Sequence, residues 1–220
     1  MLLRPARAGA VALAIVVLAG GCSTDDWSRP HAAPTPIGSL GPGFAPAAPP
    51  SPEATITPSP GSWNDVHPSK GYRVVLLTAG DDPQTQTLVS AVRVWAKQEH
   101  VSLKTVAATA SNQYVAKITE AIDLKPDLIV SAGNALVDPL ALVTASHLDQ
   151  QFLLIGAELA EPTANVTAAD WPGASYRGEG LGMSSAYNPN SFTPERATAA
   201  VQAGTASVLH GLTGIVIWLT

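Results

Sequence analysis

One cysteine, two methionines and a charged fraction of only 13% leave this 220-residue chain poor in the residue types that usually carry chemistry. With Cys22 alone, no intrachain disulfide can form in any compartment. There is no basic run, and the formal net charge is -5, so nucleic acid is excluded as an electrostatic partner. The five histidines, His31, His67, His100, His147 and His210, share no metal-ligand spacing. No Gly-x-Ser-x-Gly elbow occurs, and no serine has a lysine three residues downstream. Gly178 to Gly182 ("GEGLG") lacks the preceding strand and the following Lys-Ser/Thr of a phosphate loop. The expectation is a chain without catalytic residues, metal or cofactor.

What is present begins at the N-terminus. Arg4 and Arg7 precede an apolar run, Ala10 to Leu18 ("AVALAIVVL"), and the small residues Ala19-Gly20-Gly21 lead into Cys22. This is the layout of an export signal, and it is shorter than the roughly 20 apolar residues that cross a bilayer. Leu18 to Cys22 resembles the lipobox of bacterial lipoproteins, which implies cleavage before Cys22 and acylation of its thiol. Residues 1–21 are thus expected to be a signal peptide, and the lipid bilayer the partner of acylated Cys22 on the extracytoplasmic face of the cell membrane. Two or more acyl chains give lasting attachment where one is marginal. Loss of Arg4 and Arg7 leaves 10 basic against 17 acidic side chains.

Composition changes abruptly between Pro30 and Pro68, which hold 11 of the 19 prolines. Phrases such as "APAAPPSPEATITPSPGS" have no apolar period and few backbone donors. The expectation is that residues 22–69 form a disordered, lipidated Pro/Ala-rich tether and that residues 70–220 form one domain.

Within that domain, Tyr72 to Thr78 is an unbroken apolar run, the pattern of a strand buried on both faces. Asp82-Pro83 then starts a helix, with Leu88, Val92, Trp95 and Ala96 on one face. Val101 to Val106 reads as a second strand. Residues 112–123 read as a second helix with Val115, Ile118, Thr119 and Ile122 inward. Asp127 to Ala132 is a third strand, Asp138-Pro139 repeats the helix start, and Phe152 opens a fourth strand. Residues 165–192 read as a long irregular segment. Thr193 to Gly211 carries the cap and stop signals of a last helix, and "GIVIWL" is a final strand.

This alternation predicts an α/β fold: a single-lobe parallel sheet of about five strands, helices on both faces, with strand order 2-1-3-4. The binding crevice of such a sheet lies beyond the carboxyl ends of its strands, where the order reverses. Three turns fall there, Thr78 to Asp82, Ser131 to Asn134, and Gly156 to Glu158. The candidate ligand-binding residues are therefore Thr78, Asp81, Ser131, Asn134 and Glu158, with Asp82 assigned to the helix cap and an aromatic of the 165–192 segment as a cover.

The series "YRVVLLTAGDD", "KPDLIVSAGN" and "FLLIGAE…NVTAADW" resembles the first lobe of type I periplasmic binding proteins, and within them the basic membrane lipoprotein family. The resemblance spans residues 72–182. It implies a small polar ligand, taken up or sensed, and an ABC importer as partner. That family has an aromatic shortly after the first-strand Asp, whereas this chain has Pro83-Gln84-Thr85. The residues leave a second reading open, a structural or interaction lipoprotein of the envelope with no small-molecule ligand. The position of the 165–192 aromatics discriminates between the two.

The lipobox reading has a direct test. Cys22→Ala should abolish acylation and either release the protein from the membrane or leave the signal uncleaved. An unmodified cysteine within an intact chain, found by mass spectrometry of the mature protein, would refute it.

Overall fold

The computed structural model describes residues 26–220. The expected signal peptide, residues 1–21, and the expected lipidation site Cys22 lie outside the described residues.

Three two-residue strands come first, β1 (Pro36–Ile37), β2 (Thr55–Ile56) and β3 (His67–Pro68). The core alternation follows as β4 (Arg73–Ala79), α1 (Pro83–Gln98), β5 (Ser102–Ala108), α2 (Tyr114–Asp123), β6 (Leu128–Ala132), α3 (Val137–Thr144) and β7 (Phe152–Ile155). Two further strands, β8 (Val166–Asp170) and β9 (Val216–Trp218), flank α4 (Pro194–Leu209). Seven strands form one sheet in the order β2-β9-β8-β7-β6-β4-β5, and every pairing in it is parallel. The predicted 2-1-3-4 order is the run β5-β4-β6-β7.

Burial on both faces explains the unbroken apolar runs. Val74 and Leu76 point into a cluster with Leu88, Val92 and Trp95 of α1 and Ala197, Ala200 and Val201 of α4. Val75 and Leu77 point the other way, toward Ile118 of α2 and Leu140 of α3. Alternate residues of one strand thus fill two cores. Helix α4 approaches the sheet closely because its inner face is small; a Cβ on Gly204 would overlap the Leu153 side chain.

Four expectations change. The sheet has seven strands rather than about five, because β8 lies inside the segment read as irregular and β2 comes from the expected tether. Helix α2 turns Val115 and Thr119 outward and buries Ile118 and Ala121. Helix α3 begins at Val137, so Asp138 sits in its first turn and not at its cap.

The fourth change is the largest. Residues 26–69 are no loose tether but a strap packed along the domain. Trp27 is buried against the β5 edge: its Nε1 donates to Ser102 Oγ (2.8 Å), and Lys104 Nζ lies 4.4 Å from its ring centroid. The Arg73 guanidinium donates to the carbonyls of Trp27 (3.2 Å) and Arg29 (2.9 Å). Phe44, Ile56 and Trp63 are buried in the α1/α4-side core. β1 pairs with β3, and β2 adds to the sheet beside β9. Proline tolerates this course because a strap makes isolated bridges, not a continuous ladder, so few backbone donors are required. Its buried aromatics supply the apolar area that offsets the ordering entropy.

Replacing either of two strap aromatics therefore costs core packing. Phe44→Ala or Trp63→Ala should destabilise the domain by about 3–5 kcal/mol, and deletion of residues 30–60 should lower the melting temperature by many degrees. Unchanged thermal unfolding in all three variants would show that the strap does not pack.

Candidate functional site

Strand β4 leads into α1 on one face of the sheet, and β6 leads into α3 on the other, so the chain departs in opposite directions from two neighbouring strand ends. A cleft opens at that reversal. It has a volume of about 330 Å³ and is lined by Asp82, Gln84, Thr85, Gly133, Asn134, Ala135, Tyr187 and Phe192.

The walls are set by local geometry. Asp82 caps α1: Oδ1 accepts from Thr85 N (2.9 Å) and Oδ2 from Thr85 Oγ1 (2.7 Å). Opposite, Gly133 has φ +91°, and a Cβ there would stand 2.7 Å from Thr85 Oγ1. Glycine is required twice over, for the left-handed backbone and for the approach of α1 to the β6 end. The next residue, Asn134, has an Oδ1 buried without a hydrogen-bond partner.

The cover comes from the segment between β8 and α4. Trp171 is fully buried, donates from Nε1 to Ser191 Oγ (3.0 Å), and meets Phe192 edge-on with centroids 5.3 Å apart. Phe192 in turn packs at 6.0 Å from Tyr187, and both rings face the cleft. Burial, and secondarily the Asp82 charge, raise the pKa of the Tyr187 phenol.

Of the five candidate ligand-binding residues, only Asn134 lines this cleft. Asp81 is exposed beside it, and its neighbour Asp82 serves as both helix cap and cleft wall. Thr78 and Ser131 are buried near the ends of β4 and β6, with hydroxyls that make no hydrogen bond. Glu158 belongs elsewhere. It is buried after β7, accepts from Ser184 Oγ (2.5 Å) and lies 3.3 Å from Arg177 Nε. Tyr187 and Phe192 fall within and at the edge of the aromatic-bearing segment; Gln84 and Thr85 carried no sequence signal beyond following the cap. The histidines do not converge: His31 pairs with Asp127 (2.8 Å) and His67 with Glu99 (3.0 Å), away from the cleft.

Beside Glu158 lies Asp170, the last residue of β8, with no exposed surface. Its Oδ1 accepts from the backbone N–H groups of Trp171 and Ser175 (both 2.9 Å), while Oδ2 has no partner. Burial pushes its pKa up to about 7, the Glu158 charge adds to the rise, and the two backbone donors oppose it.

No protein-family model matches the chain, and no curated protein is similar to it. Among solved structures, the chain is similar to an ABC transporter solute-binding protein from Aeropyrum pernix K1, at 20% identity over 46% of this chain and 29% of that one, with a TM-score of 0.42. A fragment from Peptoclostridium difficile 630 named as a candidate lipoprotein matches at 16% identity over 64% of this chain and 99% of that one, with a TM-score of 0.46. A periplasmic ribose ABC transporter protein from Conexibacter woesei matches at 16% identity over 69% and 54%, with a TM-score of 0.35. The chain thus spans about a third to a half of the two transporter proteins. The α/β architecture stands on the strand order and register of the sheet itself.

The raised pKa of Asp170 makes stability pH-dependent in a definite direction. Between the ordinary value of 3.8 and about 7 the folded state holds a proton that the unfolded state releases. Stability from this group is therefore full below about 3.8 and is lost as pH rises through 7. The loss should be on the order of a few kcal/mol. Asp170→Asn, which keeps the Oδ1 acceptor, should remove this component. Urea unfolding at pH 4.5 and 8 checks it; equal pH dependence in both proteins would contradict the assignment.

Proposed function

We propose that the chain is a membrane-anchored extracytoplasmic lipoprotein whose single lobe binds a small polar molecule in the cleft between β4 and β6, for uptake or sensing. One observation carries the binding reading: two aromatic rings from the segment after β8 fold over the cleft and form its wall. A purely structural envelope protein has no need of an aromatic-walled cleft at the strand ends. The volume lies at the small end of small-molecule sites, roughly 300–1,000 Å³, and Asn134 brings an acceptor with nothing yet to accept. The anchor rests on the lipobox resemblance of Leu18 to Cys22. An ABC importer as partner rests on the resemblance of residues 72–182 to the first lobe of binding proteins. No catalytic step forms part of this reading.

A thermal-shift screen of the protein against nucleosides, sugars and amino acids tests the proposal. A ligand should raise the melting temperature, and Asn134→Ala should weaken it by about 1–3 kcal/mol, roughly ten- to a hundred-fold, while leaving the free protein folded. No ligand in the screen, together with a silent Asn134→Ala in cells, would favour the structural-lipoprotein reading.

A further inference from the structure

The chemistry of the cleft wall narrows the ligand class, on the premise that the cleft is the binding site. No lining residue is a lysine, arginine or histidine. The side chains that reach it are the Asp82 carboxylate, the Gln84 and Asn134 amides, the Thr85 hydroxyl, the Tyr187 phenol and the Phe192 ring. Two acceptors in the wall have hydrogen-bonding capacity left. The Asn134 Oδ1 is buried without a donor, and each Asp82 oxygen accepts a single bond where a carboxylate oxygen can accept two. The Thr85 hydroxyl already donates to Asp82, and Gln84 Nε2 is directed at the Pro189 carbonyl at 3.5 Å.

An anionic ligand is disfavoured on two counts. Its charge would meet the Asp82 carboxylate with no cation in the wall to offset it. The helix N-terminus, the usual anion site in α/β crevices, is also partly occupied, because Asp82 Oδ1 already holds the first-turn N–H of Thr85. The rings favour the opposite sign. Tyr187 and Phe192 present π systems beside a carboxylate, an arrangement that attracts a cation.

We propose that the group recognised in this cleft is a donor-bearing ammonium on a small organic skeleton, held between Asp82 and Asn134 with its carbons against Tyr187 and Phe192. Asp82 supplies the counter-charge, Asn134 Oδ1 gains its missing donor, and the rings exclude water from the alkyl or aryl portion.

Three probes of one skeleton separate charge from shape: benzylamine, benzyl alcohol and benzoate. They are titrated into the full chain, with binding read by calorimetry and by amide and ring NMR shifts at Asn134 and Tyr187. Benzylamine, protonated at pH 7, should bind at least about tenfold more tightly than the alcohol, as one charge-assisted hydrogen bond predicts, and benzoate should bind least. Asp82→Asn keeps a good helix cap, so it should remove the preference for the amine without lowering the melting temperature. Equal or tighter binding of the alcohol or benzoate, with the same residues shifting, would overturn the ammonium assignment and leave the cleft as the site. Shifts confined to other residues, or none with any probe, would overturn the ammonium assignment; if the broader screen also gave no ligand, the binding reading would fall with it.

Discussion

The parallel pairing of β4 with its two neighbours is the constraint on which the remainder of the molecule depends. β4 bonds to β5 on one side and β6 on the other, and its residues are buried on both faces. A strand in that position has no polar face, so helices must cover both sides, and the chain must leave β4 and β6 in opposite directions. The cleft is the gap this geometry leaves. Gly133 then decides how narrow it is, since α1 can come down on the β6 end only where no Cβ intervenes.

The covering segment is held by linked contacts of different kinds. Trp171 is fixed in the core and bonded to Ser191, Phe192 packs on it edge-on, and Tyr187 packs on Phe192. Further along the same segment, Ser184 and Arg177 reach Glu158, and the Ser185 N–H donates to Ser175 Oγ (2.9 Å). Glu158 thus helps to hold the segment that carries Tyr187. Asp170 beneath it is the electrostatically costly member of this cluster, a carboxyl with one oxygen satisfied twice and the other not at all.

The legible parts of this protein were those governed by local periodicity. Continuous apolar runs announced β4, β6 and β7, cap signals announced α1 and α4, and strand–helix alternation was enough for the order around the reversal point. Interactions between distant segments were harder to read. Val166 to Asp170 ("VTAAD") is a buried strand built of small and polar residues, so it lacks the bulk that marked the others. The strap has proline composition and no period, yet Trp27, Phe44 and Trp63 bury themselves singly at wide spacing, a pattern no window of neighbouring residues reveals. At the site, the reversal point and Asn134 could be located from the strand ends. The exchange between Asp81 and Asp82 could not, because a cap that also forms a wall depends on where the next strand's turn arrives.

The pairing of β2 with β9 bears on how the chain reaches this state. Thr55 lies beside Val216 and Ile56 beside Ile217, so one edge of the sheet joins segments from far apart in the sequence. Glu53 N also donates to the Gly214 carbonyl (2.8 Å). Such contacts close a long loop, and their entropy must be met before they return any stability. Folding therefore cannot run to completion from the N-terminal side. The β4–β7 half can assemble from nearer neighbours and already offers Trp27 its place on β5, but β2 has no edge to join until β9 has docked on β8, so the pairing of β2 depends on arrival of the C-terminal strand.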